Sequence, residues 1–294
     1  MLHTSEIHLR DPFVVPVAEE GRYYLFGTNC DGTWGPRVKG FSYFTSANLS
    51  DWEGPFPAFT PAADFWAERD FWAPEVHRYQ GRYYLLASFI ATGRERGTQI
   101  LAADKVSGPY QPHSPLPVTP AAWTCLDGTL YVDPDETPWM VFCHEWVQVH
   151  DGEICAVRLR PDLTAADGEP VVLFTAAQSA WAQATSVTDG QPNYVTDGPF
   201  LYRTSGGTLL MLWSSFIDGR YVQGLARSTS GHLTGPWVHE HEPLYRDDGG
   251  HGMLFRTFTG ALMLALHQPN RYPDERPLFL PIAECGDNLT VRTK

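Results

Sequence analysis

The chain has 294 residues, of which 43% are hydrophobic, 13% aromatic and only 19% charged, and it contains 26 glycines and 24 prolines. This composition favours many short strands joined by tight turns over long surface helices. The formal charge of -13, with no basic run, excludes a phosphate-binding surface, so nucleic acid is not an expected partner.

A pair of strand-like runs occurs five times along the chain. The first runs read, in chain order, RDPFVV, WAPEVHRY, LDGTLYVD, TDGPFLYR and HGMLFRTF. The second runs follow turn signals and begin 60, 56, 70 and 53 residues apart, at Gly21, Gly81, Thr137, Gly207 and Gly260. Each pair predicts a β-hairpin, and a third strand that ends in a polar turn follows each hairpin.

Five such units predict an all-β fold, a five-bladed β-propeller, in which small antiparallel sheets surround an axis. A β-sandwich would show shorter and more even turn spacing, and an α/β fold would need helical periodicity between its strands. Only residues 60–72, TPAADFWAERDFW, are arguably helical. We expect one propeller domain over residues 1–294, with no accessory domain.

Titratable residues recur in the five predicted first strands, which line the central channel of a propeller. Alignment on the apolar runs brings one such residue from each strand near the same register: Asp11, Glu75, Asp127, Asp197 and His251. A single Asp before Pro or Gly is a common turn residue. Several acids in one confined space raise each other's pKa and cost stability, so the set indicates a functional site.

Two carboxyl groups that face each other across a pocket suit hydrolysis of a glycosidic bond. One acid protonates the leaving oxygen, while the other activates water or attacks the anomeric carbon. Aromatic side chains supply apolar faces for sugar rings, although most aromatics here belong to the core. The sequence contains no G-x-S-x-G elbow, phosphate loop or Rossmann glycine pattern, which argues against those enzyme classes.

The ordered motifs RDPFVV, FWAPEV, LDGTLYVDPD, TDGPFLYR and GGHGMLF, across nearly the full chain, resemble the family 43 glycoside hydrolases, which are five-bladed propeller enzymes. The resemblance implies an inverting mechanism with three carboxyl groups. Asp11 matches the family's general base. Asp127 matches the aspartate that modulates the pKa of the acid, although Gly128 follows it where the family often has proline. Asp197 falls where the family usually has its general-acid glutamate.

The identity of the acid is open at this point. Asp is one methylene shorter than Glu, and catalytic geometry tolerates only small misplacement. Glu145 in CHEW, which ends the second strand of the third blade, is the alternative acid. If Glu145 is the acid, Asp197 becomes a ligand of a substrate hydroxyl group.

Five residues are predicted to bind substrate, and each also has an ordinary structural explanation: Arg10, Trp72, Glu75, His144 and His251. Arg10 would stabilise the ionised base beside it, and Trp72 would form a platform for a sugar ring. Trp146, His267 and Asn270 are further candidates for the rim of the pocket. The resemblance also implies a calcium or other cation near His251, in a structural or electrostatic role, because the reaction requires no cofactor.

We expect an exo-acting, inverting hydrolase that releases a terminal sugar from a small oligosaccharide or glycoside. The resemblance favours an α-L-arabinofuranosidase. A β-D-xylosidase or a galactose- or galactofuranose-specific glycosidase of the same fold is the alternative. A carbohydrate-binding propeller without catalysis is the alternative of another class.

The sequence favours a cytoplasmic protein with no membrane partner. No run approaches the roughly 18 apolar residues of a membrane span, and the opening MLHTSEIHLRD lacks the basic and apolar regions of a signal peptide. The five cysteines are scattered and form no C-x-x-C pair, which fits a reducing compartment: Cys30, Cys125, Cys143, Cys155 and Cys285.

Overall fold

The chain forms five antiparallel sheets arranged as the blades of a β-propeller, which confirms the predicted fold class. This computed structural model describes residues 1–29 and 39–292. Cys30 lies outside the described residues, and the four described cysteines are free thiols. Among the residues described, no helix combines the length and the hydropathy that a membrane-spanning segment requires.

Each blade contains four strands in sequence order, and blade 1 has a fifth strand on its outer edge. Blade 1 contains β1 (Leu2–His3), β2 (Leu9–Val17), β3 (Arg22–Asn29), β4 (Phe41–Ser46) and β5 (Asp51–Phe59). Blade 2 contains β6 (Arg69–Tyr79), β7 (Arg82–Ala91), β8 (Arg94–Ala103) and β9 (Gln111–Pro112). Blade 3 contains β10 (Cys125–Val132), β11 (Pro138–His144), β12 (Glu153–Arg158) and β13 (Val171–Thr175).

An additional hairpin of β14 (Ser186–Thr188) and β15 (Gln191–Asn193) separates blades 3 and 4. Blade 4 contains β16 (Asp197–Arg203), β17 (Leu209–Ile217), β18 (Arg220–Ser228) and β19 (Trp237–His239). Blade 5 contains β20 (Gly250–Arg256), β21 (Leu262–Gln268), β22 (Arg276–Cys285) and β23 (Asn288–Val291). The described helices are one short α-helix, α1 (Trp146–Val149), and two 3₁₀ turns, Thr4–Glu6 and Ala176–Gln178. Residues 60–72 form no helix, and their last four residues already belong to β6.

The hydrophobic core lies between neighbouring blades. The second strand of each blade is buried on both faces, because each sheet packs against the sheets before and after it. Near-continuous apolar runs result, as in β17, where the residues from Leu209 to Trp213 are all fully buried. Such runs are typical of strands covered on both sides. The packing of sheet on sheet therefore fixes the angular position of every blade.

A β-bulge interrupts the first strand of every blade at an equivalent position. Two residues of the first strand lie opposite one residue of the second, between Arg10 and Phe13 in blade 1 and at the matching place in each other blade. The first bulge residue has a positive φ in all five: Asp11 (52°), Ala73 (45°), Asp127 (57°), Gly198 (50°) and His251 (51°). A bulge bends the strand and re-aims its side chain and N–H.

The positions of the bulges differ in part from the register of the five first strands that the sequence predicted. Asp11, Asp127 and His251 are equivalent, as expected, because each is the first bulge residue. Asp197 lies directly before its bulge and Glu75 lies directly after its bulge, so the common register is wrong for these two. An alignment on apolar runs does not detect the extra residue that each bulge inserts.

The N–H of each bulge residue donates a hydrogen bond to a side chain of the preceding blade. The five bonds are Ala73 to Thr28 Oγ1 (2.7 Å), Asp127 to Ser88 Oγ (2.9 Å), Gly198 to Asp127 Oδ2 (3.0 Å), His251 to Ser214 Oγ (2.8 Å) and Asp11 to His267 Nδ1 (3.2 Å). In four blades the acceptor is the second-strand residue opposite the residue before the bulge. Blade 3 has Cys143 at that position, and Asp127 accepts instead.

The bond from Asp11 to His267 helps to close the ring between blades 5 and 1. The N-terminal strand β1 pairs with β5 of its own blade, so it does not join the two blades by strand exchange. Burial, and after it the charge of Arg10, lower the pKa of His267 to about 3. The neutral ring therefore accepts at Nδ1 and donates from Nε2 to Asn270 Oδ1, 3.1 Å away.

We expect the Thr28→Val variant to be less stable than wild type. The Oγ1 of Thr28 donates to Asp11 Oδ2 and accepts from the N–H of Ala73, at 2.7 Å each, and the residue is buried. Valine keeps the shape but leaves both partners without that bond, at a cost of about 1–3 kcal/mol for each unsatisfied buried group. Urea unfolding measures the difference from the shift of the midpoint.

The control is Thr28→Ser, which keeps the hydroxyl group and removes only the methyl group. It should lose less stability than Thr28→Val. Equal losses in the two variants would show that methyl packing, rather than the hydrogen bonds between blades, accounts for the contribution of Thr28.

Candidate active site

A cavity of about 850 Å³ is lined by residues at the bulges, together with side chains from the ends of several strands. The bulge residues Asp11, Asp127 and His251 contribute to its wall, and so does Asp197 beside the fourth bulge. Its size is in the range of pockets that hold one small ligand. The bulges thus direct titratable side chains from four blades into one space.

Asp11 is held as a carboxylate. Its Oδ2 accepts from Thr28 Oγ1, and its Oδ1 lies 3.2 Å from His251 Nδ1 and 3.4 Å from Arg10 Nε. Burial alone would raise the pKa of Asp11, but His251 and Arg10 hold that pKa well below its usual range. Asp11 is therefore ionised at neutral pH.

The pKa of Asp127 is shifted in the opposite direction, toward the protonated form. Burial raises its pKa well above the ordinary value, and the negative charge of Asp11 raises it further. The N–H of Gly198, 3.0 Å from Oδ2, partly opposes these effects. Asp127 therefore takes up a proton far more readily than an exposed aspartate does.

Asp197 also retains a proton near neutral pH. Burial and the neighbouring carboxyl of Asp127 raise its pKa to about 7. Its Oδ2 accepts a hydrogen bond of 3.0 Å from the hydroxyl group of Tyr221, which is itself buried. One cavity thus contains an ionised carboxylate on blade 1 and a carboxyl with a pKa near neutrality on blade 4.

The ring of His251 lies against the backbone of Gly198. A Cβ at residue 198 would lie 2.7 Å from His251 Cδ2, and the φ of +50° also disfavours any other residue. The glycine of the TDGP motif therefore allows the imidazole to reach Asp11, with Asp127 Oδ2 3.7 Å from the same Nδ1. This packing connects the positions of all three acids.

Glu145 also reaches the cavity, but it is paired. Its carboxylate accepts from Arg96 NH1, and the NH2 group of the same guanidinium donates to Asp70 Oδ2 at 3.0 Å. The Arg96 guanidinium lies over the ring of Trp72, 4.3 Å from its centroid. Burial raises the pKa of Glu145, while the charge of Arg96 opposes this rise. The pairing fixes the orientation of Trp72 at the cavity wall.

Other residues at the site carried no recognisable sequence signal. Glu275 is fully buried, and its Oε1 lies 3.4 Å from the NH1 atom of Arg10. Tyr221, Thr28 and Arg96 make the contacts described above. Glu275, Tyr221 and Arg96 lie in no motif, because each reaches the site from a strand or loop that is remote in sequence. An isolated polar residue in an apolar strand was the only hint for Thr28.

Seven of the nine predicted site residues line the cavity: Arg10, Asp11, Trp72, Asp127, Glu145, Asp197 and His251. Trp146 and Asn270 line it as well, whereas His267 is fully buried beside Asp11. Glu75 and His144 are not among the residues that line the cavity, and their contact with substrate stays a prediction. Glu75 lies directly after its bulge and pairs with His77 Nε2 at 2.9 Å.

His144 has a structural role beneath α1. Its Nδ1 faces Glu153 Oε2 and its Nε2 faces Gln148 Oε1, both at 2.8 Å, and its ring stacks on Trp123. The Gln148 amide is oriented by donation to the carbonyl of Ala122 and acceptance from the N–H of Thr124. Both imidazole nitrogens therefore face acceptors, which favours the protonated ring, and these contacts anchor α1.

The predicted cation near His251 is not supported by the arrangement of side chains. Within residues 1–29 and 39–292, no group of three or more His, Cys, Asp or Glu side chains is arranged to hold a metal ion. The Nδ1 atom of His251 is directed to Asp11 and Asp127. A cation at this place stays a prediction, and no chemical step is derived from it.

Comparisons with known proteins agree with this geometry. The family model described as glycosyl hydrolases family 43 matches residues 4–284. A crystal structure titled as an endo-arabinase from Bacteroides thetaiotaomicron is similar at 41% sequence identity and a TM-score of 0.89, covering 97% of this chain and 98% of that one. A structure titled as a thermostable family-43 glycoside hydrolase has a TM-score of 0.81 at 21% identity, covering 100% and 96% of the two chains.

A curated relative is also similar over nearly the whole chain. It is an extracellular exo-α-(1→5)-L-arabinofuranosidase from Cellvibrio japonicus, 24% identical to this chain, and the match covers 99% of this chain and 83% of the relative. The cytoplasmic location of the present chain stays a prediction.

We expect His144 to titrate above the ordinary histidine pKa of about 6.5. Burial lowers its pKa, but hydrogen bonds to Glu153 and Gln148 outweigh burial and raise it. A raised folded-state pKa stabilises the protein fully below the unfolded-state pKa, and this stabilisation is lost as pH rises through the folded-state value. The stability difference between wild type and His144→Phe should therefore shrink from pH 6 to pH 9 in urea unfolding.

The Glu153→Gln variant tests the cause of this shift. Removing the carboxylate should move the titration of His144, followed by NMR of the ring protons, to lower pH. An unchanged titration, or a His144→Phe difference that grows with pH, would contradict a cationic His144.

Proposed function

The chain belongs to the glycosyl hydrolases of family 43 and is a glycoside hydrolase, and from this premise we propose that it removes terminal α-L-arabinofuranosyl residues from short oligosaccharides with inversion of configuration. The observation that carries the proposal is the difference in pKa between two carboxyl groups of one cavity. Asp11 is held ionised, whereas the pKa of Asp197 is raised to about 7. An inverting hydrolase needs one group of each kind.

Asp11 acts as the general base in this proposal. It removes a proton from a water molecule that attacks the anomeric carbon from the face opposite the leaving group. The contacts with His251, Arg10 and Thr28 support this role, because they stabilise the ionised form that a base requires.

Asp197 acts as the general acid and donates its proton to the leaving oxygen. Within the described residues, the hydrogen bond from Tyr221 is made to Oδ2, so the proton can be carried on Oδ1. The same bond stabilises the carboxylate that remains after proton transfer. Burial raises the pKa of Glu145 as well, but Glu145 is less suited to this role, because its carboxyl is engaged in an ion pair with Arg96.

Asp127 acts as the modulator of the acid. Its carboxyl is second only to burial among the causes that raise the pKa of Asp197. It also accepts the N–H of Gly198, the residue that follows Asp197. Asp127 thus influences both the proton affinity and the backbone position of the acid.

The choice of arabinose and of exo action rests on the similar proteins and on the size of the cavity. The curated relative is named as an exo-acting arabinofuranosidase, and the 41% identical structure is titled as an endo-arabinase. Other similar structures are titled as an exo-arabinanase, an arabinofuranosidase and a xylanase. A cavity of about 850 Å³ has room for the end of a sugar chain rather than for a long internal segment.

Product analysis tests this proposal. Wild type should release arabinose one unit at a time from α-1,5-linked arabino-oligosaccharides, and NMR should show the β-anomer as the first product. The Asp11→Asn variant should lose about 10²–10⁴-fold or more in kcat, because it lacks the base. Internal cleavage of linear arabinan would favour endo action. Retention of configuration would overturn the inverting mechanism. Turnover of xylosides alone would overturn the sugar assignment.

The acid can be identified from the dependence of rate on the leaving group. Asp197→Asn should lose about 10²–10⁴-fold in kcat on an oligosaccharide, whose leaving alcohol needs a proton, but much less on a dinitrophenyl glycoside, which needs none. The matched variant Glu145→Gln should affect both substrates equally. The reverse pattern would assign the acid to Glu145.

A further inference from the structure

His267 makes more contacts than its position in the blade requires. In blades 1, 2 and 4 the matching residue of the second strand is Thr28, Ser88 or Ser214, whose hydroxyl group accepts the N–H of the next bulge. In blade 5, His267 Nδ1 accepts the N–H of Asp11, 3.2 Å away. A hydroxyl group is sufficient for this connection between blades, so the imidazole ring indicates a further role.

The ring of His267 connects the base to the acid through Tyr221. The two rings are stacked, with their centroids 5.5 Å apart and an angle of 19° between their planes. At one end His267 accepts the N–H of Asp11, and at the other end the hydroxyl group of Tyr221 donates to Asp197 Oδ2 at 3.0 Å. One stack of two rings therefore extends from the backbone of Asp11 to the carboxyl of Asp197.

Both members of the stack are held in place by Asp248. The Nε2 atom of His267 donates to Asn270 Oδ1 at 3.1 Å. The N–H of Asn270 donates to the carbonyl of Asp248 at 3.0 Å and lies 3.3 Å from its Oδ2. The Oδ1 atom of Asp248 accepts the N–H of Tyr221 at 3.2 Å. Asp248 thus fixes the backbone of Tyr221 and, through Asn270, the ring of His267.

The stack is tightly enclosed. His267 and Tyr221 are 0% and 1% exposed. A Cβ at Gly250 would lie 2.7 Å from Tyr221 Cε1, and the ring of Phe216 packs on Tyr221 at 5.1 Å between centroids. Because protein interiors are close-packed, neither ring can move without displacing its neighbours.

The stack influences the reaction only through the two carboxyl groups that it holds. Among the described residues that line the catalytic cavity are Asp11 and Asp197, but neither His267 nor Tyr221. In an inverting hydrolase the base and the acid lie about 6.5–9.5 Å apart, which leaves room for a water molecule. A misplacement of about 1 Å can cost about 10²-fold in rate. A rigid link between the two carboxyl groups therefore has a direct effect on the rate.

We propose that Tyr221 and His267 act as one positioning unit, which fixes the acid Asp197 relative to the base Asp11. The inference rests on the proposed function and deepens it. Neither residue touches the substrate. Loss of either should therefore slow the chemical step without weakening substrate binding.

Single variants at the two ends of the stack test the proposal. Tyr221→Phe keeps the ring and removes the hydrogen bond to Asp197. His267→Ser supplies the hydroxyl acceptor that the matching positions of other blades use, but removes the ring. Each variant should lower kcat on an α-1,5-linked arabino-oligosaccharide by about 10–100-fold, with KM within about twofold of wild type. If His267→Ser does not fold, His267→Asn replaces it, since Asn also offers an acceptor without the ring.

The double variant tests whether the two rings act as one unit. In the Tyr221→Phe background the hydroxyl group that the stack positions is already absent. His267→Ser should therefore lower kcat there by less than about threefold. Independent contributions would multiply, and the double variant would then lose about 10²–10⁴-fold. A multiplicative loss would overturn the inference, and so would a wild-type kcat in either single variant.

The pH dependence of kcat distinguishes positioning from a purely structural role. Four groups from four blades face Asp197: Asp127, His251, Tyr221 and Arg10. The hydrogen bond from Tyr221 lowers the pKa of Asp197, so its loss should raise that pKa above the present value of about 7. The acid then stays protonated to higher pH. The decline of kcat at alkaline pH should move upward in Tyr221→Phe and, by a smaller amount, in His267→Ser. An unchanged decline in both variants would indicate a structural role alone and overturn the inference.

Two control variants remove similar groups elsewhere in the fold. Tyr110→Phe removes a fully buried hydroxyl group that donates to the carbonyl of Val106. Leu262→Ala shortens a buried side chain at the opposite end of β21 from His267. Both should lose stability in urea unfolding but keep the kcat and the pH profile of wild type. If they lose kcat as the test variants do, the effect reflects a general loss of packing, and the inference is overturned.

Failure of the proposed function gives different results. If the leaving-group test assigns the acid to Glu145, the stack positions no acid, and the inference is overturned while the hydrolase function stands. If wild type cleaves xylosides or galactosides and no arabinoside, the sugar assignment fails, and the same variants decide the inference on that substrate.

If wild type cleaves no glycoside, the proposed function fails, and an NMR titration of the Asp197 carboxyl decides the inference. Tyr221→Phe and His267→Ser should both raise the pKa of Asp197, because both weaken the hydrogen bond that stabilises its charged form. A titration that His267→Ser leaves unchanged would show that the two rings do not act as one unit.

Discussion

The structure depends on hydrogen bonds that join each blade to the next at its bulge. A five-bladed ring without strand exchange needs some other connection between its first and last blades, and the N–H of Asp11 bound to His267 contributes one. The same geometry repeats at every blade boundary, with Thr28 and Ser88 as acceptors at two of them. Because a bulge re-aims both the N–H and the side chain, the residues that connect the blades also carry functional groups into the cavity.

The chemistry of the site follows from the different hydrogen-bond and charged partners of three aspartates. Asp11, Asp127 and Asp197 are all aspartates within one cavity. Asp11 has a hydroxyl donor, an arginine and an imidazole close to its oxygens, so its charged form is stabilised. Among the described residues, Asp127 and Asp197 accept one hydrogen bond each, and burial is the largest cause that raises the pKa of both. The fold thereby separates a base from an acid without a change of residue type.

Much of the site could be predicted from the sequence, and the errors have one main cause. The recurring hairpins identified the five blades, and the Asp-Pro and Asp-Gly motifs identified Asp11 and Asp127. Glu75 was misplaced because the apolar runs were aligned without the bulge residue. The sequence did contain a signal, since at the five equivalent bulges the first bulge residue is followed by Pro or Gly: Pro12, Pro74, Gly128, Pro199 and Gly252. The contacts of His144 with Glu153 and Gln148 were not predicted, because the end of a strand does not reveal which way a side chain points.

The sequence by itself determined the repeat, the all-β class and the set of acids, because strand periodicity and turn residues are local properties of the chain. Only the tertiary structure decided which acids share a cavity, which of them is ionised, and that Glu75 and His144 are paired elsewhere. These properties depend on distances between residues from different blades, such as Asp11 to His251 and Tyr221 to Asp197. The pKa of a carboxyl is set by burial and by neighbours in space, and neither is written in the order of residues along one strand.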